Sequence, residues 1–451
     1  MSRIAHPITQ ALYRAAFVAT AASLASGPVA ATTPAEPSAS VHDQVAAERL
    51  ALRLIQRPDV QAALGPLAQE WQAGTPGLLR ETYRQIPESI RELALLTALQ
   101  TIASDPRRPK VIEISAPPHR WYGLDVPGGR WGINNPDTLY FLVPVEPGST
   151  YVVTGQRHSR GPIDANYSLQ TSDGWVTLAN IGYDDLQVGD DGRYRITIDD
   201  QPALGRRNHI QIRDGAHFLL IRNTLGDWAN ELPDTLTVER VAGPAAGPVP
   251  TDDALAAQII ERLRATVRRS IAELQPPILK RPANSIPQPG AVADKPGFLV
   301  TQRNALGHFR ITDDEAIIAT VNPGGARYAT FPVTSIWGIT PDPRQYQNSL
   351  NATQAVPNAD GTITVILSNR DPGVANWINA GGLHEGIVML RWQRLAAVDP
   401  ARGGPAVEAK LIRFADLPAL LPKGTTLFAP AERVARQTER ARTFERRFTE
   451  R

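Results

Sequence analysis

The chain has no cysteine, two methionines, and only 6% aromatic residues among its 451 positions. Without cysteine there are no disulfides, no thiolate metal sites and no lipid-anchored thiol, so stability rests on packing alone. Charge of one sign is missing as well: 47 Lys and Arg face 45 Asp and Glu. Nucleic-acid binding normally needs a basic stripe, so no nucleic-acid partner is expected. Past the N-terminus, no stretch approaches the ~20 consecutive apolar residues of a membrane helix, so no integral membrane segment is expected in the mature chain. His42, His119, His158, His209, His217 and His308 lack metal-ligand spacing. The nucleophile elbow, phosphate loop and dinucleotide fingerprint are also missing. Neither a metal nor a cofactor is therefore expected.

What is present begins with an export pattern. Arg3 and Arg14 precede the apolar run 15–25, and Val29-Ala30-Ala31 supplies small residues for cleavage, so residues 1–31 read as a signal peptide. The mature chain is expected in the periplasm or secreted. Removing Arg3 and Arg14 with no acid leaves 45 residues of each sign (47 − 2 = 45). Residues 32–41, rich in Thr, Pro, Ala and Ser, read as a disordered tether.

Periodicity divides the remainder. Val45, Leu52 and Ile55 recur at helical spacing up to Pro58, and Leu79, Ile86, Ile90, Leu93 and Leu96 do so around a break at Pro87, predicting a helical lobe over 42–104. Short alternating runs between Gly, Pro and Asp turns then predict a β-rich block over 111–245. Leu255, Ile259, Leu263, Val267 and Ile271 repeat every four residues behind Thr251, a fitting N-cap. With the Pro-rich stretch 276–297, they read as a connecting helix and arm over 251–297. A second β-rich block follows over 298–428, and residues 430–451 read as a C-terminal helix docking through Val434, Phe444 and Phe448. The expected class is α+β, mainly β: two β-sandwich or jelly-roll-like blocks, a helical N-terminal lobe and a connecting helix. Parallels between the blocks (Val145–Tyr151 with Val321–Tyr328, Asp191–Ile198 with Asp360–Leu367, Asp227-Trp228 with Asn376-Trp377) fit either an internal duplication or the ordinary recurrence of hairpin turns.

The densest polar segment is Arg370-Asp-Pro-Gly-Val-Ala-Asn376-Trp377, followed by a Gly-rich stretch, His384-Glu385-Gly386, and an apolar run ending Arg391-Trp392. Asp-Pro-Gly is a turn pattern: Asp accepts local N–H groups, Pro presets φ, and Gly supplies a positive φ. Arg370 and Arg391 could pair with Asp371 and Glu385 or hold an anionic group. His384 and Glu385 are the candidate acid/base pair, although neighbours on an extended strand point to opposite faces. The second polar-aromatic segment runs from Trp121-Tyr122 through Trp131, Asn134, Asn135 and Asp137 to Tyr140. Flat rings beside fixed amides suit a small-molecule lip, and equally suit core aromatics around an Asx turn.

The Arg370–Trp392 pattern resembles the family called domain of unknown function 1214, over about residues 316–395. Asn135-Pro-Asp-Thr-Leu-Tyr140 resembles an element of its companion, domain of unknown function 1254. The resemblance carries over Arg370, Asp371, Pro372, Gly373, Asn376, Trp377, Glu385, Gly386, Arg391 and Trp392. Where relatives commonly place histidine, this chain has Asn369 and Leu383, so any imidazole chemistry would fall to His384.

Three functional readings follow. The first is an exported protein binding a small carbohydrate or ring-bearing apolar molecule through Arg370, Asp371, Asn376, Trp377, Arg391, Trp121, Tyr122, Trp131, Asn134, Asp137 and Tyr140. The second is a metal-independent hydrolase or lyase using His384 and Glu385, with Arg370 or Arg391 holding an anion. The third is a structural scaffold. Oligomeric state is not legible in the sequence.

Overall fold

Apolar residues at helical spacing build α1 (Ala39–Ile55), α2 (Pro58–Gly74), the single turn α3 (Arg80–Tyr83) and α4 (Ile86–Ile102). The structure is a computed structural model that describes residues 39–172, 175–291, 297–395 and 403–449. The expected signal over 1–31 lies outside the described residues. Helix begins at Ala39, inside the expected tether, and Val41 is already buried. Pro58 opens α2 rather than only closing α1, because proline's missing N–H is unpaired at a helix start anyway. Val60, Leu64, Leu67 and Trp71 are buried on that unexpected helix. Pro87 likewise stands in the first turn of α4.

Helix α5 (Asp252–Arg269) starts as expected, with the Thr251 hydroxyl accepting from the Ala254 N–H at 3.2 Å. It does not bridge the β blocks. It joins α1, α2 and α4 in one core around Leu54, Trp71, Leu93 and Leu263. Thr251→Ala should cost about 1 kcal/mol through the lost cap, read as a lowered urea midpoint; an unmoved midpoint would deny the cap any role.

The first sandwich packs two sheets over a core that includes Leu139, Tyr151, Ile196 and Ile221. One contains β1 (Ile112–Glu113), β4 (Thr138–Pro144), β10 (Ala216–Thr224), β6 (Asp164–Thr171) and β7 (Thr177–Ile181), in that order. The other runs β11 (Thr235–Ala242), β5 (Thr150–Gln156), β8 (Arg193–Asp199), β9 (His209–Gln211). A small hairpin, β2 (His119–Trp121) with β3 (Leu124–Val126), stands apart.

The second sandwich repeats this topology. Its first sheet runs β12 (Gly290–Ala291), β13 (Arg303–Arg310), β19 (Glu385–Leu395), β15 (Ala326–Thr330), with β16 (Val333–Thr334) also beside β19. Its second sheet runs β20 (Ala406–Arg413), β14 (Glu315–Asn322), β17 (Ile363–Ser368), β18 (Trp377–Asn379). Even the one parallel pairing recurs, β8 with β9 and β17 with β18. Of the three sequence parallels, only Asp191–Ile198 with Asp360–Leu367 falls on equivalent strands, β8 and β17. Pro147-Gly148 joins β4 to β5, whereas Pro323-Gly324 joins β14 to β15; Trp228 follows β10, whereas Trp377 opens β18. Pro-Gly turns recur because chain reversal needs them, whatever strands they join.

The Pro-rich stretch expected as an arm is partly folded. A π-helical turn (Ser270–Leu274) leads into α6 (Pro276–Leu279), Ile278 is buried, and β12 adds to the edge of β13. After the short α7 (Leu417–Leu420), α8 (Pro430–Thr449) straps both sandwiches. Phe444 and Phe448 enter the first core, but Val434 is 67% exposed; the inward position is taken by Arg440, stacked 4.1 Å from the Trp228 ring. No described helix is long and apolar enough to cross a membrane.

Candidate functional site

The residues singled out in the sequence fall in four places. Arg370, Asp371, Asn376 and Trp377 anchor chain segments. Arg370 pairs with Asp314 at 2.9 Å and stacks on Phe414. Asp371 accepts the Gly373 N–H at 2.8 Å, the expected turn, and binds Arg433 of α8 at 2.9 Å. Asn376 holds Val356 through both amide atoms. Trp377 is buried, donates to the Ser368 carbonyl at 3.1 Å, and lies under Arg433. None of the four forms a hydrogen bond, ion pair or ring contact with the Trp131–Tyr140 segment among the described residues.

Glu385 and His384 form the second group, and both clamp the helical lobe. Glu385-Gly386 is no turn but the start of β19; the turn is Gly381-Gly382, with φ of 67° and 82°. A Cβ at Gly386 would lie 2.6 Å from the Phe309 ring, which is why glycine stands there. The Glu385 side chain is fully buried. It accepts from His308 at 3.2 Å, from Arg310, and from the Leu79 N–H and Thr82 hydroxyl at 2.8 Å each. Burial alone would raise this carboxyl, but the four donors outweigh it and bring it down to about 2. His384 lies between Glu81 at 2.6 Å and Asp313 at 3.0 Å, whose hydrogen bonds raise its pKa. The two side chains share no hydrogen-bond partner. A carboxylate held so far below neutrality with every lone pair engaged is poorly matched to proton transfer.

The third group is Trp121 and Tyr122 on the small hairpin. Trp121 donates to Glu48 at 2.6 Å and borders a cleft with Gln44, His158 and Asp234; Tyr122 is half-exposed beside it.

The fourth group converges between the two sandwiches. Along β19, Glu385, Ile387, Met389, Arg391 and Gln393 share the outer face, because alternate residues of a strand point the same way. Along β10, Phe218, Leu220, Arg222 and Thr224 do likewise. Apolar members pack outward, Leu220 and Phe218 into the helical core and Ile387 and Met389 against Ile133, Ile278 and Ile336. The polar ends then meet. Asp137, fully buried, accepts from Trp228 at 2.9 Å and from Tyr328, Thr330 and Asn351 at 2.7, 3.2 and 3.1 Å. It thus joins the first sandwich to β15 of the second. Asn135 donates to Tyr328 at 2.7 Å, and the Asn134 carbonyl accepts from Thr340 at 2.9 Å. Arg391 donates to the Ile133 carbonyl and, at 3.3 Å, to that of Met389. Burial lowers its pKa, with Tyr140, Tyr328 and Asp137 opposing. Tyr140 lines a small cleft together with Asn134, Asn135 and Thr138. Trp131, two residues before Ile133, is half-buried with its indole N–H unpaired.

Residues not singled out in the sequence complete this layer. Arg222 pairs across its strands with Tyr140 and Asn166, and Asn304 lies directly opposite Arg391. Both amide atoms of Asn304 and the Oε1 of Gln393 are buried without a partner. A signal for Arg222 was present: Phe218-Leu-Leu-Ile-Arg222 and Ile387-Val-Met-Leu-Arg391 are the same apolar run ending in arginine, on equivalent strands. Among the described residues, no group of three His, Asp or Glu side chains is placed to hold a metal ion.

No family model matches the chain, and no curated protein matches it. Among solved structures it is similar to an uncharacterized protein from Burkholderia cenocepacia, with a TM-score of 0.68, 20% identity, and coverage of 81% of this chain and 99% of that one. A protein from Vibrio parahaemolyticus aligns at a TM-score of 0.38 and 10% identity, over 62% of this chain and 90% of that one. The first likeness shows the fold alone.

Proposed function

We propose that the chain is an exported, non-catalytic binding protein that takes a small hydroxyl-rich molecule of the carbohydrate class between its two sandwiches. The observation that carries this reading is the pair of buried amides beside Arg391: Asn304 with neither atom bonded, and Gln393 with its carbonyl oxygen free. A buried amide without a partner costs about 1–3 kcal/mol. Fixed amides recur where hydroxyl groups are recognised. A purely apolar ring would leave these groups unpaired, so the carbohydrate side of the reading is favoured. Kinship with domain of unknown function 1214 belongs to the same proposal and rests on the Arg370–Trp392 pattern.

A panel of neutral and acidic monosaccharides tested by thermal melting of the full chain should contain members that raise the midpoint by a few degrees, since a ligand at 100 times its Kd stabilises by about 2.7 kcal/mol. Gln393→Ala should abolish that shift. A panel without effect, or a shift retained in the variant, would remove the proposal.

A further inference from the structure

Arg222 and Arg391 occupy equivalent positions on β10 and β19, equivalent strands of the two sandwiches, and both are buried. Most other arginines that are buried or nearly so have a carboxylate or an aromatic ring; Arg436, which donates only to the Gln354 carbonyl, is an exception. Arg130 has Glu92, Arg157 has Asp234, and Arg344 has Asp342 and Glu445. Arg440 has the Trp228 ring. Arg222 reaches only the Ser168 hydroxyl at 3.4 Å and the Gly297 carbonyl at 3.2 Å, and Arg391 only two carbonyls. Neither forms an ion pair or faces an aromatic ring among the described residues.

A guanidinium out of water without a counter-charge in contact costs several kcal/mol, and two of them acting on one another cost more; Asp137 acts on Arg391 but forms no ion pair with it. Burial pulls Arg222 down to about 10, and the charge of Arg391 pulls in the same direction. Asp164 acts on Arg222 but makes no ion pair with it, and is itself pushed up to about 7 by burial. Tyr140 acts on both guanidiniums, so the two share one electrostatic environment. Asn304 lies opposite Arg391 with four hydrogen-bonding positions unused.

We propose that Arg222 and Arg391 together hold an anionic group, a carboxylate or a phosphate, on the molecule bound between the sandwiches, with Asn304 completing its oxygen shell. This rests on the binding reading above and adds the charge of the ligand. Planar guanidinium forks match both oxyanions, and low dielectric strengthens the pairing.

The test is titration calorimetry of the full wild-type chain at low salt with glucose, glucuronate, glucose 6-phosphate and inorganic phosphate. Glucuronate or glucose 6-phosphate should bind at least tenfold more tightly than glucose, and which of the two wins tells carboxylate from phosphate. Inorganic phosphate binding alone would keep the anion and discard the sugar. Asn304→Asp places a carboxylate opposite Arg391; it should raise the melting midpoint of the unliganded chain and weaken the acidic sugars at least tenfold. Equal binding of glucose and the acidic sugars would overturn the anion while leaving the binding reading standing. Silence from all four probes would overturn both. Should Asn304→Asp fail to fold, the glucose-to-glucuronate ratio in the wild type decides alone.

Discussion

Replacing Asp137 by alanine should destabilise the protein by about 4 kcal/mol or more, the largest single effect expected from any residue of the inter-sandwich layer. Four buried donors, from Trp228, Tyr328, Thr330 and Asn351, would lose their acceptor at once. Each stranded donor costs about 1–3 kcal/mol, and neighbours relax enough that the sum is not reached. Arg440 would also lose the negative charge that opposes the lowering of its pKa by burial. Asp137→Asn keeps the shape and, with its oxygen kept toward Tyr328, Thr330 and Asn351, turns only the Trp228 N–H toward an amide N–H, so an intermediate loss of about 2 kcal/mol is expected. Urea melts followed by tryptophan fluorescence measure both. A loss below about 1 kcal/mol for the alanine variant would mean that the layer is held by apolar packing instead. Tyr328→Phe combined with Asp137→Ala should cost less than the two singly, because both remove the same 2.7 Å bond.

Glu385→Gln is the second large effect, about 2 kcal/mol at neutral pH, because it leaves Arg310 and His308 without their carboxylate. The pH dependence has a definite sign. The folded carboxyl is lowered from 4.5 to about 2, so its contribution is complete above pH 4.5 and is lost as pH falls toward 2. At about 1.4 kcal/mol per unit the shift would correspond to roughly 3 kcal/mol. The Arg310 side chain is 41% exposed, and solvent screening brings this nearer 2 kcal/mol. Wild-type stability should therefore drop between pH 4.5 and 2 by about that amount more than the variant's. Parallel acid limbs for the two proteins would show that Glu385 is not the group being titrated.

Both residues were conspicuous in the sequence as candidate chemistry, and both are joints. The reason lies in where strands place them. Asp137 stands immediately before β4, at the level where two sheets meet, and Glu385 opens β19 against α3. Polar residues at element ends that become buried by another element must be satisfied there, so they collect donors. Trp377 and Asn376 are similar cases: a polar-aromatic loop between two strands looks like a pocket rim in one dimension and is a brace for α8 in three.

The sequence by itself determined the class of fold: helical period at the N-terminus, alternating strands twice over, the Thr251 cap, the Asp371-Pro-Gly turn and the aromatic face of α8 at Phe444 and Phe448. These depend on spacing within a few residues, which a chain displays directly. It missed α2 because Pro58 can start a helix as well as end one. Only the tertiary structure decided which polar residues meet. Arg222 and Arg391 are 169 positions apart (391 − 222 = 169); Arg391 stood out as a candidate anion holder, whereas nothing in its own segment ties Arg222 to it. Their shared surroundings arise only where the second sandwich meets the first, through bonds such as that from Tyr328 to Asp137. Electrostatics then acts through space, between groups that local pattern never brings together.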